Sequence, residues 1–265
     1  MTALEQWYEA RSPTLVDGVR FHLLGQLRVL AHHQPVRLGG PLEQSVLLRP
    51  LLAHSQPVTV ERLADEVWRE EPSRPSPGTV HSYVARLRRK LGSARSLLTT
   101  STEGYLLAAP TTMVDAWTFD QALDGALARA GRPTEVRAIL EPALRLWDGA
   151  RAFGSLGERS WALAHAQRLQ ERRLIAIETL ARAELLLDHH ISALLRLQDV
   201  AAEHPHRESL TQLLMTALYR GGRQGEALTA YERCRRALDD DLGVEPSDEL
   251  RAVHHAVLQH SCHVG

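Results

Sequence analysis

Basic side chains are concentrated in one segment of this 265-residue chain. The segment from Pro72 to Thr102 contains no acidic residue, and its basic residues are Arg74, Arg86, Arg88, Arg89, Lys90 and Arg95. Such side chains donate hydrogen bonds to phosphate oxygens, and an arginine can bind one guanine edge with two parallel hydrogen bonds. The segment could therefore bind nucleic acid. The alternative interpretation is a basic helix face that contacts only solvent.

Residues 79–91 of this segment have the apolar periodicity of a helix. At about 100° per residue, one face carries Val80, Val84, Leu87 and Leu91. The opposite face carries Ser82, Ala85, Arg86 and Arg89, and the flanks carry Thr79, Tyr83, Arg88 and Lys90. Small residues on the exposed face would let the helix approach DNA closely, with Arg86 in reach of a guanine. Basic and hydroxyl groups on the flanks could bind phosphates on either side of a major groove.

Short elements are predicted around this helix. Strands are expected within residues 20–30 and 35–38, separated by Gly25 and by a turn at residues 32–34. A helix is predicted at residues 42–53, with a kink at Pro50, and Thr59 is the expected N-cap of a helix at 60–68. Residues 95–100 and 104–108 are typical of a closing hairpin.

The second half of the chain is predicted to be helical. Residues 158–204 contain neither proline nor glycine, and Asp115 is the expected N-cap of the first of seven helices. The predicted helices span residues 116–130, 134–147, 158–188, 191–204, 208–219, 225–238 and 247–259. A tetratricopeptide-like pair is indicated by Leu214, Leu218, Gly222, Ala227, Tyr231 and Cys234. Such helices pack in antiparallel pairs as a repeat array.

The first half resembles the winged helix-turn-helix of the OmpR type. The residues that carry this resemblance are Leu63, Trp68, Thr79, Val80, the segment 84–92, Gly104 and Tyr105. The resemblance implies that residues 79–91 are a recognition helix and that the hairpin is a wing beside the minor groove. It further implies that Ser82 and Arg86 face bases, whereas Thr79, Tyr83 and Arg88 face phosphates.

The predicted DNA-binding set is completed by Arg89 and Lys90 of the helix and by Thr100 and Thr102 of the hairpin. Tyr83 could instead pack beside the buried stripe. Similar proteins usually carry basic residues at the start of the first helix and in the wing. This chain has Glu43, Ser45 and the sequence TSTE at residues 100–103 in those places. Fewer phosphate contacts would give a lower DNA affinity and a shallower salt dependence.

The second half is similar to the bacterial transcriptional activator domain of the Streptomyces antibiotic regulatory protein family. The matching segments are residues 143–149, 203–210 and 218–252, with the turn LGVEPS at 242–247 as the most specific. The predicted fold is therefore mainly α, with a winged helix (α+β) followed by an all-α tetratricopeptide-like domain. Its expected parts are a flexible extension at residues 1–18, a DNA-binding domain at 19–110 and an activator domain at 111–261.

This resemblance implies a sequence-specific transcriptional activator of an antibiotic or other secondary-metabolite gene cluster. Its expected partners are double-stranded promoter DNA, bound as direct repeats near the −35 region, and RNA polymerase with its principal sigma factor. A homodimer on the DNA repeats is a further possibility. The alternative is a tetratricopeptide-like adaptor or sensor with weak or partner-dependent DNA binding.

Other classes of protein lack support in the sequence. No segment reaches eighteen uninterrupted apolar residues and no signal peptide is recognisable, so a cytoplasmic location without membrane association is expected. No catalytic or phosphate-binding motif occurs, and neither an enzyme nor a cofactor is predicted. The histidines near Cys262 have poor spacing for zinc, and a disulfide with Cys234 is not expected.

Overall fold

The computed structural model describes residues 18–259, which separate into two units. The described part of the first unit comprises residues 18–121 and 145–172, and that of the second comprises 122–144 and 173–259. The chain thus passes from one unit to the other three times. Residues 1–17 of the predicted extension and the histidine and cysteine residues after 259 lie outside the described residues. The domain limits near residues 18, 110 and 261 stay a prediction.

Three short antiparallel strands begin the first unit. They are β1 (Val19–His22), β2 (Arg28–Ala31) and β3 (Gln34–Pro35), paired in the order β1-β2-β3. His32 and His33 both have positive φ, 50° and 63°, which is the backbone of the two-residue turns that join tightly paired strands. The three predicted strands are confirmed, but the third is shorter than expected.

Three helices follow the sheet: α1 (Pro41–Leu52), α2 (Val60–Val67) and α3 (Pro77–Leu91). The predicted N-cap of α2 is confirmed, because Thr59 Oγ1 accepts a hydrogen bond from the Arg62 amide at 3.1 Å. Helix α3 begins two residues before its predicted start. Ser76 is its N-cap and Pro77 is its first residue, where the fixed φ of proline suits a helix and its missing N–H costs nothing.

A β-hairpin closes the three-helix cluster. A 3₁₀ helix (Gly92–Leu97) leads into β4 (Leu98–Ser101), which pairs with β5 (Gly104–Leu107). The backbones of Tyr105 and Val58 exchange two hydrogen bonds of 2.9 and 2.8 Å, so the hairpin is tied to the segment just before α2. Gly104 has φ of +141°, and a Cβ atom there would collide with the Val58 backbone. Only glycine fits this crossing.

The first unit is completed by residues that come after the hairpin. They include the first part of α4 (Asp115–Leu127), two 3₁₀ turns (Thr111–Met113 and Gly154–Glu158) and the start of α6 (Ser160–Leu186). The Asp115 carboxylate accepts hydrogen bonds from the amides of Leu23 at 2.7 Å, Leu24 at 3.3 Å and Ala116 at 2.6 Å. Asp115 was predicted as an N-cap, and it instead anchors the segment after β1.

The second unit is a stack of helices. It contains α5 (Pro133–Leu144), α7 (His190–Glu203), α8 (Glu208–Arg220), α9 (Gln224–Leu242) and α10 (Asp248–Leu258), together with the later part of α6. Helix α8 packs against α7, α9 and α10 and is buried along most of its length. Ala227, Tyr231 and Cys234 of α9 are buried against it, at the positions that the repeat pattern predicted. A winged helix followed by a helical unit confirms the predicted fold class.

Candidate nucleic-acid interface

Helix α3 presents one exposed basic face. Its buried face consists of Val80, Val84, Leu87 and Leu91, as the periodicity predicted. Its exposed residues include Ser82, Ala85, Arg86, Arg89 and Lys90. The helix has no acidic residue, so nothing on its own surface neutralises the arginines. A helix with this profile has the charge and the shape to enter a major groove.

Arg86 and Arg89 are the exposed arginines of this face. Neither forms an ion pair with any residue between 18 and 259. The Arg86 guanidinium carbon lies 4.1 Å from the centre of the Tyr83 ring. Tyr83 is half-buried, and its ring meets the Trp68 ring edge to face at 5.2 Å. Tyr83 therefore packs against Trp68 and also lies beside the exposed face of α3. Its contact with a phosphate stays a prediction.

Arg88 binds the hairpin. Its Nε atom donates to the Leu98 carbonyl at 2.8 Å, and Nη2 donates to Thr100 Oγ1 at 2.8 Å. Its guanidinium also lies 5.7 Å from the Tyr105 ring. Burial raises the pKa of the Tyr105 phenol, against the opposing effect of the Arg88 charge, so this residue stays neutral. Arg88 thus connects α3 to β4, and these bonds compete with its predicted contact to a phosphate.

Lys90 is held by a partner that the sequence did not reveal. Its Nζ atom lies 2.7 Å from Glu43 Oε1, and it donates a hydrogen bond to the Leu38 carbonyl at 3.2 Å. Glu43 is 8% exposed and Ser45 is fully buried. These two positions of α1 lie inside the protein, so the absence of basic residues there does not weaken the exposed positive charge. Glu43 instead neutralises one lysine of α3.

Three hydroxyl groups of the predicted site, those of Thr79, Ser82 and Thr100, have hydrogen-bond partners within the protein. Ser82 Oγ donates to the Gly78 carbonyl at 2.8 Å, and Thr79 Oγ1 lies 3.0 Å from Ser76 Oγ. Ser82, Thr100 and Thr102 are all exposed. Their oxygen atoms can accept or donate additional bonds, so the predicted DNA contacts of the four hydroxyl residues stay predictions.

One exposed residue on the hairpin side of α3 was absent from the predicted set. His81 is exposed, and its ring lies 6.2 Å from the ring of Tyr105, the residue that the Arg88 guanidinium also faces. A search for arginine and lysine omits histidine, which is why His81 is missing from the predicted set. The sequence signal that could have identified His81 is its position next to Ser82, which belongs to the predicted DNA-binding set.

Removing the Arg88 side chain should loosen the hairpin. The Arg88→Ala variant lacks two hydrogen bonds to β4, one of them to a backbone carbonyl, and such charged bonds contribute about 1.5 kcal/mol or more. We expect the amides of residues 98–107 to exchange with solvent about tenfold faster, measured by hydrogen exchange with mass spectrometry. Arg89→Ala removes the same charge from a neighbouring exposed position and is the control. Equal exchange in the two variants would show that Arg88 does not hold the hairpin.

Within residues 18–259 no three histidine, cysteine, aspartate or glutamate side chains are grouped as metal ligands. A cavity of about 600 Å³ in the first unit is lined by Arg28, Asp148, Arg151 and Glu158, whose charges pair with one another. No helix among the described residues has the length and apolar character needed to cross a membrane.

The fold and the exposed basic helix define a DNA-binding transcriptional regulator of the winged-helix class, and comparisons with known proteins agree. Residues 34–107 match the family described as "Transcriptional regulatory protein, C terminal", and residues 114–258 match the "Bacterial transcriptional activator domain". The second match covers more than half of the chain. The chain therefore belongs to the Streptomyces antibiotic regulatory protein family of transcriptional regulators.

Individual relatives match over most of this chain. Regulatory protein AfsR of Streptomyces griseus is 34% identical over 256 residues, which are 95% of this chain and 26% of AfsR. Transcriptional regulator RedD of Streptomyces coelicolor is 32% identical, over 91% of this chain and 70% of RedD. The solved structure of Mycobacterium tuberculosis EmbR in complex with a low affinity phosphopeptide has a TM-score of 0.84 and 33% identity. It covers 93% of this chain, which spans only 66% of EmbR and about a quarter of AfsR.

Proposed function

We propose that this protein is a sequence-specific transcriptional activator of a secondary-metabolite gene cluster, such as one for an antibiotic. A domain at residues 19–110 binds promoter DNA, and a domain at 111–261 supports activation. The protein binds direct repeats near the −35 region, self-associates there, and recruits RNA polymerase through its principal sigma factor. Membership of the family supports the regulatory role. The direct repeats, the self-association and the recruitment of RNA polymerase are inferences for this chain.

One observation carries the DNA-binding part of the proposal. Arg86 and Arg89 are exposed on a helix without acidic residues, and neither has an ion-pair partner among residues 18–259. Other arginines of the chain pair with a carboxylate, as Arg62, Arg74 and Arg196 do. Arg86 and Arg89 differ from isolated surface arginines because they lie together on one helix face without acidic residues, and polyanionic DNA suits such a face.

In this proposal helix α3 enters the major groove and the hairpin reaches the adjacent minor groove. Arg86 donates to a guanine edge, and Ser82 lies beside the same bases. Phosphate contacts come from Arg89 and from the hydroxyls of Thr79, Thr100 and Thr102. Arg88 adds positive charge close to the DNA backbone, whereas Lys90 keeps its ion pair with Glu43. The hydroxyl and charged groups fix the register, and Arg86 supplies the selectivity.

Titration of the full chain onto promoter fragments tests the proposal. Fluorescence anisotropy would give the affinity for fragments upstream of the neighbouring genes and for a shuffled duplex, at about 50 and about 200 mM salt. The variant Arg86→Ala should lose about 1–3 kcal/mol at the selected fragment and much less on the shuffled duplex. Arg182→Ala is the matched control, because Arg182 is an exposed arginine of the second unit.

The outcomes separate the activator from the alternative. Selective binding that weakens with salt and is lost only in Arg86→Ala supports the proposal. Equal loss on both duplexes would make Arg86 a phosphate contact. Binding without selectivity, unchanged in both variants, would contradict the proposal and favour an adaptor or sensor whose partner is a protein.

A further inference from the structure

Three side chains, one just after α2 and two on α3, form a continuous stack beside the exposed face of α3. Trp68, the residue that follows α2, is 7% exposed and forms the base of the stack. The Tyr83 ring meets it edge to face, with ring centres 5.2 Å apart and an angle of 81° between the planes. The Arg86 guanidinium lies on the same tyrosine ring at 4.1 Å. Arg86 is the outermost member of the stack, and its charged group is exposed to solvent.

The spacing and chemistry of this stack suit the positioning of an arginine. Residues three apart on a helix are neighbours, so the ring of Tyr83 lies within reach of the Arg86 side chain. A planar guanidinium is attracted to an aromatic face and keeps its edge N–H groups free while it stacks. The edge contact with buried Trp68 limits the motion of the tyrosine ring. The ring therefore restricts a side chain that otherwise has many rotamers.

From this geometry we infer that Tyr83 is a positioning residue, which holds the Arg86 guanidinium ready to bind a base edge. The inference rests on the proposed function. Ordering a free arginine on binding costs conformational entropy, and a side chain ordered in advance avoids part of that cost. Both described contacts of Tyr83 with other side chains are made by its ring, so the ring and not the phenolic hydroxyl performs this role.

Two substitutions of Tyr83 separate the ring from the hydroxyl. Tyr83→Phe keeps the stack and removes only the hydroxyl, whereas Tyr83→Leu removes the aromatic face. Selectivity is measured as the ratio of affinities for the selected promoter fragment and the shuffled duplex. We expect Tyr83→Phe to keep the wild-type ratio and Tyr83→Leu to lower it roughly three- to tenfold. Thermal unfolding of each variant, followed by tryptophan fluorescence, shows whether the packing on Trp68 survives.

A double-mutant cycle with Arg86→Ala distinguishes positioning from a general loss of structure. If Tyr83 acts through Arg86, adding Tyr83→Leu to Arg86→Ala should lower the selectivity ratio no further. A second readout needs no DNA: the side-chain protons of Arg86 should show an upfield ring-current shift in the NMR spectrum of the wild type and of Tyr83→Phe. The shift should be absent in Tyr83→Leu.

Two results would overturn the role of Tyr83 while leaving the proposed function intact. One is an equal loss of affinity for both duplexes in Tyr83→Phe and Tyr83→Leu, which would assign the hydroxyl to a phosphate. The other is an additive loss of selectivity in the double variant. A wild type without any selective binding is a different result, because it would overturn the proposed function itself.

Discussion

Replacing Arg196 by methionine should lower the free energy of unfolding of the second unit by about 3 kcal/mol. Arg196 of α7 donates from Nε and Nη2 to the two carboxylate oxygens of Glu184 of α6, at 3.2 and 3.0 Å. Glu184 is 1% exposed, whereas the Arg196 side chain is 24% exposed. Methionine fills a similar volume but leaves a buried carboxylate without its partner. The partial exposure of Arg196 places the expected loss at the lower end of the range for broken buried pairs.

Chemical denaturation with hydrogen exchange of the α6 and α7 peptides would measure this loss. Arg182→Met removes an exposed arginine of the same helix as Glu184 and should change stability by less than about 0.5 kcal/mol. The double variant Glu184→Met with Arg196→Met should recover most of the stability, because both charges are then replaced by apolar side chains. If Arg196→Met unfolds at the same denaturant concentration as Arg182→Met, the pair does not stabilise the unit.

Removing the carboxylate of Asp115 should destabilise the first unit by about 2–4 kcal/mol. In Asp115→Ala, the amides of Leu23 and Leu24 lose their acceptor, and both residues are almost fully buried. A buried amide without an acceptor costs about 1–3 kcal/mol. All tryptophans of the described chain belong to this unit, so urea unfolding followed by tryptophan fluorescence reports on it. An unchanged unfolding midpoint would show that water or other groups satisfy these amides.

The same residue should give the first unit a defined pH dependence. Burial raises the pKa of Asp115 from 3.8 to about 6, although the three backbone hydrogen bonds oppose the increase. Between these values the folded protein binds more protons at Asp115 than the unfolded chain does. Its contribution to stability is therefore fully present below about pH 4 and falls as the pH rises through 6. Asparagine does not titrate, so the stability of wild type relative to Asp115→Asn should decrease from pH 4 to pH 7. A constant difference would contradict the raised pKa.

Local patterns in the sequence predicted the helix that forms the candidate site. The stripe of Val80, Val84, Leu87 and Leu91 has a period of 3.6 residues, and burial of that stripe necessarily exposes Ser82 and Arg86 on the other side. The cap at Thr59 is also a local signal, because it depends on backbone geometry within a few residues. The helix stripe and this cap follow from the chain without knowledge of its distant neighbours. The need for glycine at 104 does not, because it arises where the hairpin crosses the Val58 backbone.

The partners of the flanking residues could not be predicted in this way. Lys90 pairs with Glu43, which is far away in sequence, and Arg88 binds a strand whose exact start no periodicity determines. The first strand ends early for the same reason. The amides of Leu23 and Leu24 donate to the Asp115 carboxylate, and their carbonyl groups accept from the amides of Phe153 and Asp148, so neither residue bonds to a strand partner. Such choices depend on which groups meet in the folded protein.

The chain crosses between its two units three times, and this limits which parts of such regulators can be exchanged in evolution. A gene fusion that joined residues 1–110 of one relative to the remainder of another would separate Leu23 and Leu24 from their own Asp115, Asp148 and Phe153. In such a hybrid, the hydrogen bonds of Leu23 and Leu24 would have to be made by residues of the other parent protein. A hybrid should therefore fold only if both parent proteins make these same contacts. The winged-helix region and the activator domain are then expected to be inherited together.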